Sequence, residues 1–308
     1  MAEAPSSVHP QLREAWAKAP KLPYHKLERL PLMRRASAAL GKTTPVDGVT
    51  VDTVDTGGVR LRVYRGAEAR GGLLWMHGGG LLLGSPTQDD HRCSVWARDL
   101  GIVVASVHYR FAPEHPFPAA SDDCLEGWRW LSNQGLPRVA VGGVSAGGGL
   151  AATLCQRLRA SGGPVPAGQM LCWPMLDDRT AADASIDPVA HVVWNNRSNA
   201  AGWGAYLGTA PGSETVPEFA VASRRSNLEG LPQTWIGVGT LDLFAEEAKT
   251  YARRLHEAGV PVTYDEVLGA FHDFTTLAPQ AEVAVECEAR QRSFLSRVFD
   301  TSSGSGSP

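Results

Sequence analysis

Gly143-Val144-Ser145-Ala146-Gly147 reads G-x-S-x-G, a spacing that sets a serine on a sharp turn between a strand and a helix. The flanking sequence supplies both elements: an apolar strand pattern over 138–142 and an Ala/Gly/Leu-rich helical pattern over 146–160. Glycine on either side removes the Cβ atoms that would clash at so tight a turn. The helix N-terminus favours negative charge beside the serine. Gly-rich serine segments also occur in ordinary loops, so the strand-to-helix context is what marks Ser145 as a nucleophile.

A nucleophile that attacks a carbonyl leaves negative charge on the carbonyl oxygen, and that charge needs amide donors at close range. His77-Gly78-Gly79-Gly80 directly follows a strand pattern over 73–76. Its glycines let the backbone approach such an oxygen. The expected donors are Gly79, Gly80 and Ala146, the residue after the nucleophile. A phosphate-binding turn is the competing reading. It is disfavoured because no G-x-x-x-x-G-K-S/T and no well-placed G-x-G-x-x-G accompanies the run.

Serine needs a base, and the base needs an orienting acid; on a strand–serine–helix turn their order along the chain is serine, acid, histidine. Of nine histidines, only His191, His256 and His272 follow Ser145. His191 lies in an irregular stretch and His256 in a charged helical one. His272 follows a strand pattern over 262–267, at the sheet edge where Ser145 emerges, and is the expected base. Asp242 follows the strand pattern over 234–238 and is the expected acid, since loops after neighbouring parallel strands meet at one edge. Glu246 and Glu247, in the next helix, are expected to face solvent. Asp273 would have to fold back on its neighbour.

The remaining candidates are weaker. Leu81, Leu82 and Leu83 follow the glycine turn and are candidates for an apolar pocket wall. Trp194, Trp203 and Tyr206 are candidates for substrate lining, against the ordinary reading of aromatics as core. His77 is expected to hold its loop by a hydrogen bond, and residues 109–118 to buttress it. Asp177 and Asp178 have no His or Glu at ligand spacing, so an ion pair with Arg179 or a turn is expected, and no metal.

These residues need a scaffold of alternating strands and helices. Strand patterns fall at 49–54, 59–64, 73–76, 102–107, 138–142, 169–172, 234–238 and 262–267. Helical patterns fall at 89–100, 119–132, 146–160, 245–258 and 281–298. Gly57-Gly58 joins the first two strands as a hairpin. The alternation predicts an α/β fold, a mostly parallel central sheet flanked by helices. Residues 11–19 and 28–40 read as short helices, with Pro20, Pro23 and Pro31 as breaks. Residues 177–230 show no clear strand and read as a lid or pocket wall. Residues 301–308 read as a flexible tail.

Composition sets the outer bounds. Hydrophobic residues make up 43% and charged residues 20% of 308, so the chain can bury a large core. A net charge of −3 gives no bulk field for nucleic acid or acidic lipid. Five widely spaced cysteines without C-x-x-C suggest neither zinc nor a dithiol and read as reduced, buried side chains. No secretory signal is expected, and no apolar run reaches the ~18 residues of a membrane span. By elimination the expected compartment is the cytoplasm.

The motifs together resemble the hormone-sensitive-lipase-like carboxylesterases (bacterial family IV) of the α/β-hydrolase superfamily, over about residues 45–300. The segments that carry the resemblance are 77–80, 109–118, 143–148, 173–179, Asp242 and Phe271-His272. The resemblance implies the α/β-hydrolase fold, Ser145, Asp242 and His272 as triad, and Gly79, Gly80 and Ala146 as oxyanion hole. It implies a helical cap built from residues 1–45 and the 177–225 insertion, over a catalytic domain spanning 46–300. The implied activity is hydrolysis of small carboxylic esters of short to medium acyl chain, without cofactor or metal. A homodimer through the sheet edge is implied by resemblance alone. Amides, lactones or carbamates are alternatives for the same triad. A non-catalytic receptor on this fold is disfavoured because such receptors lose the histidine. A true lipase is disfavoured because residues 1–45 are too charged for an apolar lid. Two positions depart from the family pattern. Val144 stands where Asp is usual, which bears on substrate preference. Asp273 stands where Gly is usual, and its carboxylate is expected to raise the pKa of His272.

Overall fold

The computed structural model describes residues 4–40, 42–186 and 191–300; the expected 301–308 tail lies outside them. The eight strands are β1 (Thr50–Asp55), β2 (Arg60–Arg65), β3 (Gly72–Met76), β4 (Val103–His108), β5 (Val139–Val144), β6 (Gln169–Cys172), β7 (Thr234–Gly239) and β8 (Val262–Val267). They form one sheet in the order β1-β2-β4-β3-β5-β6-β7-β8. β1 and β2 make the predicted hairpin, and β2 runs antiparallel to β4. Every other pairing is parallel. Each observed strand coincides with a predicted one to within two residues at either end.

All residues of β3, β5, β6 and β7 are buried, which requires cover on both faces of the sheet. The cover comes from α3 (Asp90–Leu100), α4 (Ala119–Ser132), α5 (Ala146–Ala160), α8 (Ala245–Glu257) and, after the short α9 (Phe274–Leu277), α10 (Glu282–Phe299). The core includes Trp75, Trp173, Trp235 and Phe244, each with almost no exposed surface. Each such side chain contributes about 1.5–3 kcal/mol by burial. β1 shows the opposite pattern, with no buried residue, as befits an outer strand.

The N-terminal residues hold α1 (Arg13–Lys18) and α2 (Leu30–Leu40). Pro31 was expected to break a helix, yet it is the second residue of α2, where its missing N–H would have had no intrahelical partner. The 177–225 stretch holds α6 (Asp178–Ala182) and α7 (Asn196–Leu207). Asp177 caps α6 by accepting from the Arg179 amide and also pairs with its guanidinium, as expected. Asp178 does not share that pair. It is fully buried and forms a forked bond to Arg224 at 2.8 and 3.0 Å while also accepting from Gly212 N at 2.7 Å.

That buried fork ties both ends of the irregular stretch together. Asp178→Ala leaves the Arg224 cation without its partner, so we expect a stability loss of about 3 kcal/mol in denaturant titration. A loss below about 0.5 kcal/mol contradicts the structural role given to this pair.

Candidate active site

Ser145 sits between β5 and α5 with φ 56° and ψ −121°, a conformation few non-glycine residues adopt. The neighbouring glycines make it possible. A Cβ on Gly143 would lie 2.2 Å from Gly147 O, and one on Gly147 would lie 2.1 Å from Met76 O. Ser145 N donates to Cys172 O at 2.9 Å, and Met175 N donates to Ser145 O at 3.0 Å. The turn is thus held from the next strand over.

Three loops at this sheet edge bring the predicted residues together. His272 Nε2 lies 3.0 Å from Ser145 Oγ, and His272 Nδ1 lies 2.8 Å from Asp242 Oδ2. A carboxylate can only accept, so Nδ1 carries the proton and Nε2 is left to accept from the serine hydroxyl. Asp242 Oδ1 also accepts from Phe244 N at 2.9 Å. All three residues are buried.

The glycine turn lies against the serine. Gly79 has φ 131° and Gly80 φ 61°, both in the range that glycine tolerates. Among the described residues, no protein acceptor takes the amide hydrogens of Gly79, Gly80 or Ala146. Ala146 N heads α5, where no carbonyl lies one turn back. These three amides are therefore available to a developing oxyanion.

The turn is braced from behind. Tyr109 Oη donates to His77 O at 2.8 Å, and the two rings stack at 4.3 Å. His77 Nδ1–H donates to Gly78 O at 2.8 Å. Burial pushes the His77 pKa down to about 3, so the ring is neutral and acts as a fixed donor. Arg110 binds Asp123 through its amide and guanidinium, fixing the start of the 109–118 segment. Arg34 from α2 donates to Leu82 O at 2.7 Å, to Ala112 O at 2.9 Å and to both oxygens of Glu114. Sequence reading missed Arg34, since nothing local marks one arginine of a surface helix as reaching across the fold.

A cavity of about 290 Å³ opens on Ser145 and His272. Val144 and Trp194 line it as predicted, together with Tyr24, Leu83, Trp173 and Asp273. Trp194 covers the turn so closely that a Cβ on Gly80 would fall 2.0 Å from its ring. Tyr24 from the N-terminal segment meets Trp194 with ring centroids 5.3 Å apart. Leu81, Trp203 and Tyr206 do not reach this cavity. They line a separate void of about 10 Å³ with Ala146 and Met175. The reason is the packing of α7, where a Cβ on Gly202 would lie 2.7 Å from Gly80 O. Leu82 is fully buried and lines neither cavity, because the turn directs Leu83 to the serine side. A larger groove of about 540 Å³ lies between the β1–β2 turn and residues 108–115, away from the serine.

One wall of the serine cavity is charged. Burial pushes Asp89 up to about 6, although Arg92 and the Trp75 Nε1–H pull it down. Burial works against the Arg92 cation, but Asp89 and Glu288 hold it charged. Glu246 is exposed as expected, whereas Glu247 is buried, its helix face being turned to the loop after β6. For His272, burial would lower the pKa, yet the charge and hydrogen bond of Asp242 and the charge of Asp273 raise it overall. Asp273 has φ 59°, which suits Gly, Asn or Asp.

A buried serine, histidine and aspartate linked in series at the edge of a mostly parallel sheet define a serine hydrolase of the α/β type. The sequence characteristic of the alpha/beta hydrolase fold matches residues 73–276. An acetyl-hydrolase of Streptomyces hygroscopicus is 32% identical over 268 residues, 82% of this chain and 84% of that protein. The structure of a bacterial heroin esterase matches with a TM-score of 0.88 at 32% identity, over 96% of this chain and 99% of the other. An esterase from the bacterial hormone-sensitive lipase family matches with a TM-score of 0.78 at 26% identity, over 97% and 100%. The chain belongs to the α/β-hydrolase family, among its hormone-sensitive-lipase-like carboxylic ester hydrolases.

The base works only when neutral, so a raised His272 pKa moves the acid limb of the pH–rate profile upward. Asp273→Asn keeps the backbone conformation and removes one raising charge. Its kcat/KM limb should shift to lower pH by a modest amount. A limb that stays in place or moves upward would falsify the contribution of Asp273.

Proposed function

We propose that the protein hydrolyses carboxylic esters of short to medium acyl chain through an acyl-enzyme at Ser145. The observation that carries this reading is the 3.0 Å contact between His272 Nε2 and Ser145 Oγ, beside three amides with no protein acceptor among the described residues. Ser145 Oγ attacks the carbonyl carbon as His272 Nε2 takes its proton. Asp242 orients the ring and stabilises the imidazolium. The amides of Gly79, Gly80 and Ala146 bind the oxyanion, each contributing about 3 kcal/mol to the transition state. His272 then protonates the leaving alcohol. In the second half, it activates a water that releases the acid.

Size supports the chain-length part. A cavity of about 290 Å³ holds roughly ten water-sized groups. The relative named acetyl-hydrolase agrees with a short acyl group. A complete Ser–His–Asp series argues against a non-catalytic receptor. We assign the described parts of residues 1–45 and 177–225 to a cap, supported by Tyr24 and Trp194 in the cavity wall. No helix among the described residues is long and apolar enough to cross a membrane. Five unpaired, buried cysteines support a reducing compartment, the cytoplasm.

We also infer a homodimer through β8. It ends the sheet with one open backbone edge, and exposed Leu268 follows it directly. Sedimentation that finds only monomer across the accessible concentration range refutes the dimer.

With p-nitrophenyl esters from acetyl to dodecanoyl, kcat/KM should be highest among the shorter acyl groups and fall by about tenfold or more at dodecanoyl. Ser145→Ala should lose at least about a thousandfold in kcat. Wild-type inactivity across the series, or an active Ser145→Ala, refutes the reading.

A further inference from the structure

A carboxyl outside the triad is buried between the loops that carry it. Glu247 is the third residue of α8 and is 7% exposed. Its Oε1 accepts from Leu176 N at 2.6 Å, and its Oε2 lies 2.5 Å from Thr180 Oγ1. Burial pushes its pKa well above the carboxylate range, and the bonds to Thr180 and Leu176 offset this only in part. A group so costly to bury is retained where its bonds are needed.

Both ends of this contact lead to the triad. Leu176 belongs to the loop after β6, and that loop supports the nucleophile turn. Met175 N donates to Ser145 O at 3.0 Å. A Cβ on Gly149 would come within 2.1 Å of Met175 O, and one on Gly148 within 2.8 Å of Pro174. The loop is therefore pressed against the first turn of α5. At the other end, α8 starts just after Asp242, and Phe244 N donates to Asp242 Oδ1 at 2.9 Å. The same face of α8 is fastened elsewhere by Tyr251, bonded to Gln156 at 3.0 Å, and by Arg254, bonded to Ser223 O at 2.7 Å.

We propose that Glu247 is a positioning residue, whose carboxyl locks the loop under Ser145 to the helix that follows Asp242 and so sets the reach from His272 to the serine oxygen. This rests on the esterase reading above. Without the carboxyl, the Leu176 amide and the Thr180 hydroxyl lose their partner and the loop is free to shift. A displacement well below 1 Å is enough to lengthen the 3.0 Å Ser145–His272 contact and slow acylation.

The test compares Glu247→Ala, Glu247→Gln and Thr180→Val with wild type. Four readouts are used: kcat and KM on p-nitrophenyl acetate, the rate of serine sulfonylation by phenylmethylsulfonyl fluoride, the low-field proton resonance of His272 Nδ1–H, and the folded fraction by circular dichroism. Glu247→Ala should lower kcat by about tenfold or more with KM within about twofold, slow sulfonylation in parallel, and shift or broaden the resonance. Glu247→Gln should recover most of kcat, because its amide accepts from Leu176 and donates to Thr180. If Glu247→Ala does not fold, Thr180→Val serves, with a smaller loss in the same direction. The proposal is overturned if the folded variant keeps wild-type kcat, sulfonylation and resonance. It is equally overturned if activity falls only in proportion to the folded fraction. Should wild type turn over no ester, the esterase reading fails, and Glu247 is judged on sulfonylation and the resonance.

Discussion

The site depends on how closely three backbones approach one another at the start of α5. Ser145 is held at φ 56° and ψ −121°, and the turn can close because Gly143 and Gly147 carry no Cβ where main-chain oxygens would lie 2.2 and 2.1 Å away. The same closeness presses Met76 and His77, at the end of β3, against Gly147. Nucleophile and oxyanion turn are thereby set against one another by main chain, independent of side-chain rotamers. A geometry held in this way costs little reorganisation when charge develops on the substrate.

Around that contact, the protein uses buried and half-buried polar side chains as braces, each tied to backbone. Tyr109 and Arg34 hold the oxyanion turn and the 109–118 segment from outside. Glu247 and Asp178 hold the loop after β6 and the stretch that follows it. The bonds reach carbonyls and amides in segments that lack regular structure, where backbone groups would otherwise be buried without partners. Irregular segments can then border a cavity without loosening it.

Two histidines near the cavity show how environment sets role. Among the described residues no carboxylate pairs with His77, so burial drives its pKa down and it stays a neutral structural donor. His272 is buried as well, but Asp242 and Asp273 outweigh the desolvation. Its pKa is raised, as a base that must carry a proton during the reaction requires. The residue type is the same; the facing charges differ.

Much of this was legible along the chain. Short apolar strands alternating with amphipathic helices carry their own period, so every strand and the major helices fall where the pattern puts them. Ser145 and the glycine turn are local motifs, because a strained turn demands particular residues within a few positions. His272 and Asp242 follow from chain order, since loops after parallel strands share one edge. What lies across the fold was not legible. The choice between Leu82 and Leu83, the withdrawal of Trp203 and Tyr206 behind Gly80, the reach of Arg34 from α2 and the burial of Glu247 each depend on partners far away in sequence. Sequence determined which residues can do the chemistry, because that need is written into local geometry. Tertiary structure decided which side chains enclose and brace it, because long-range packing leaves no periodic trace.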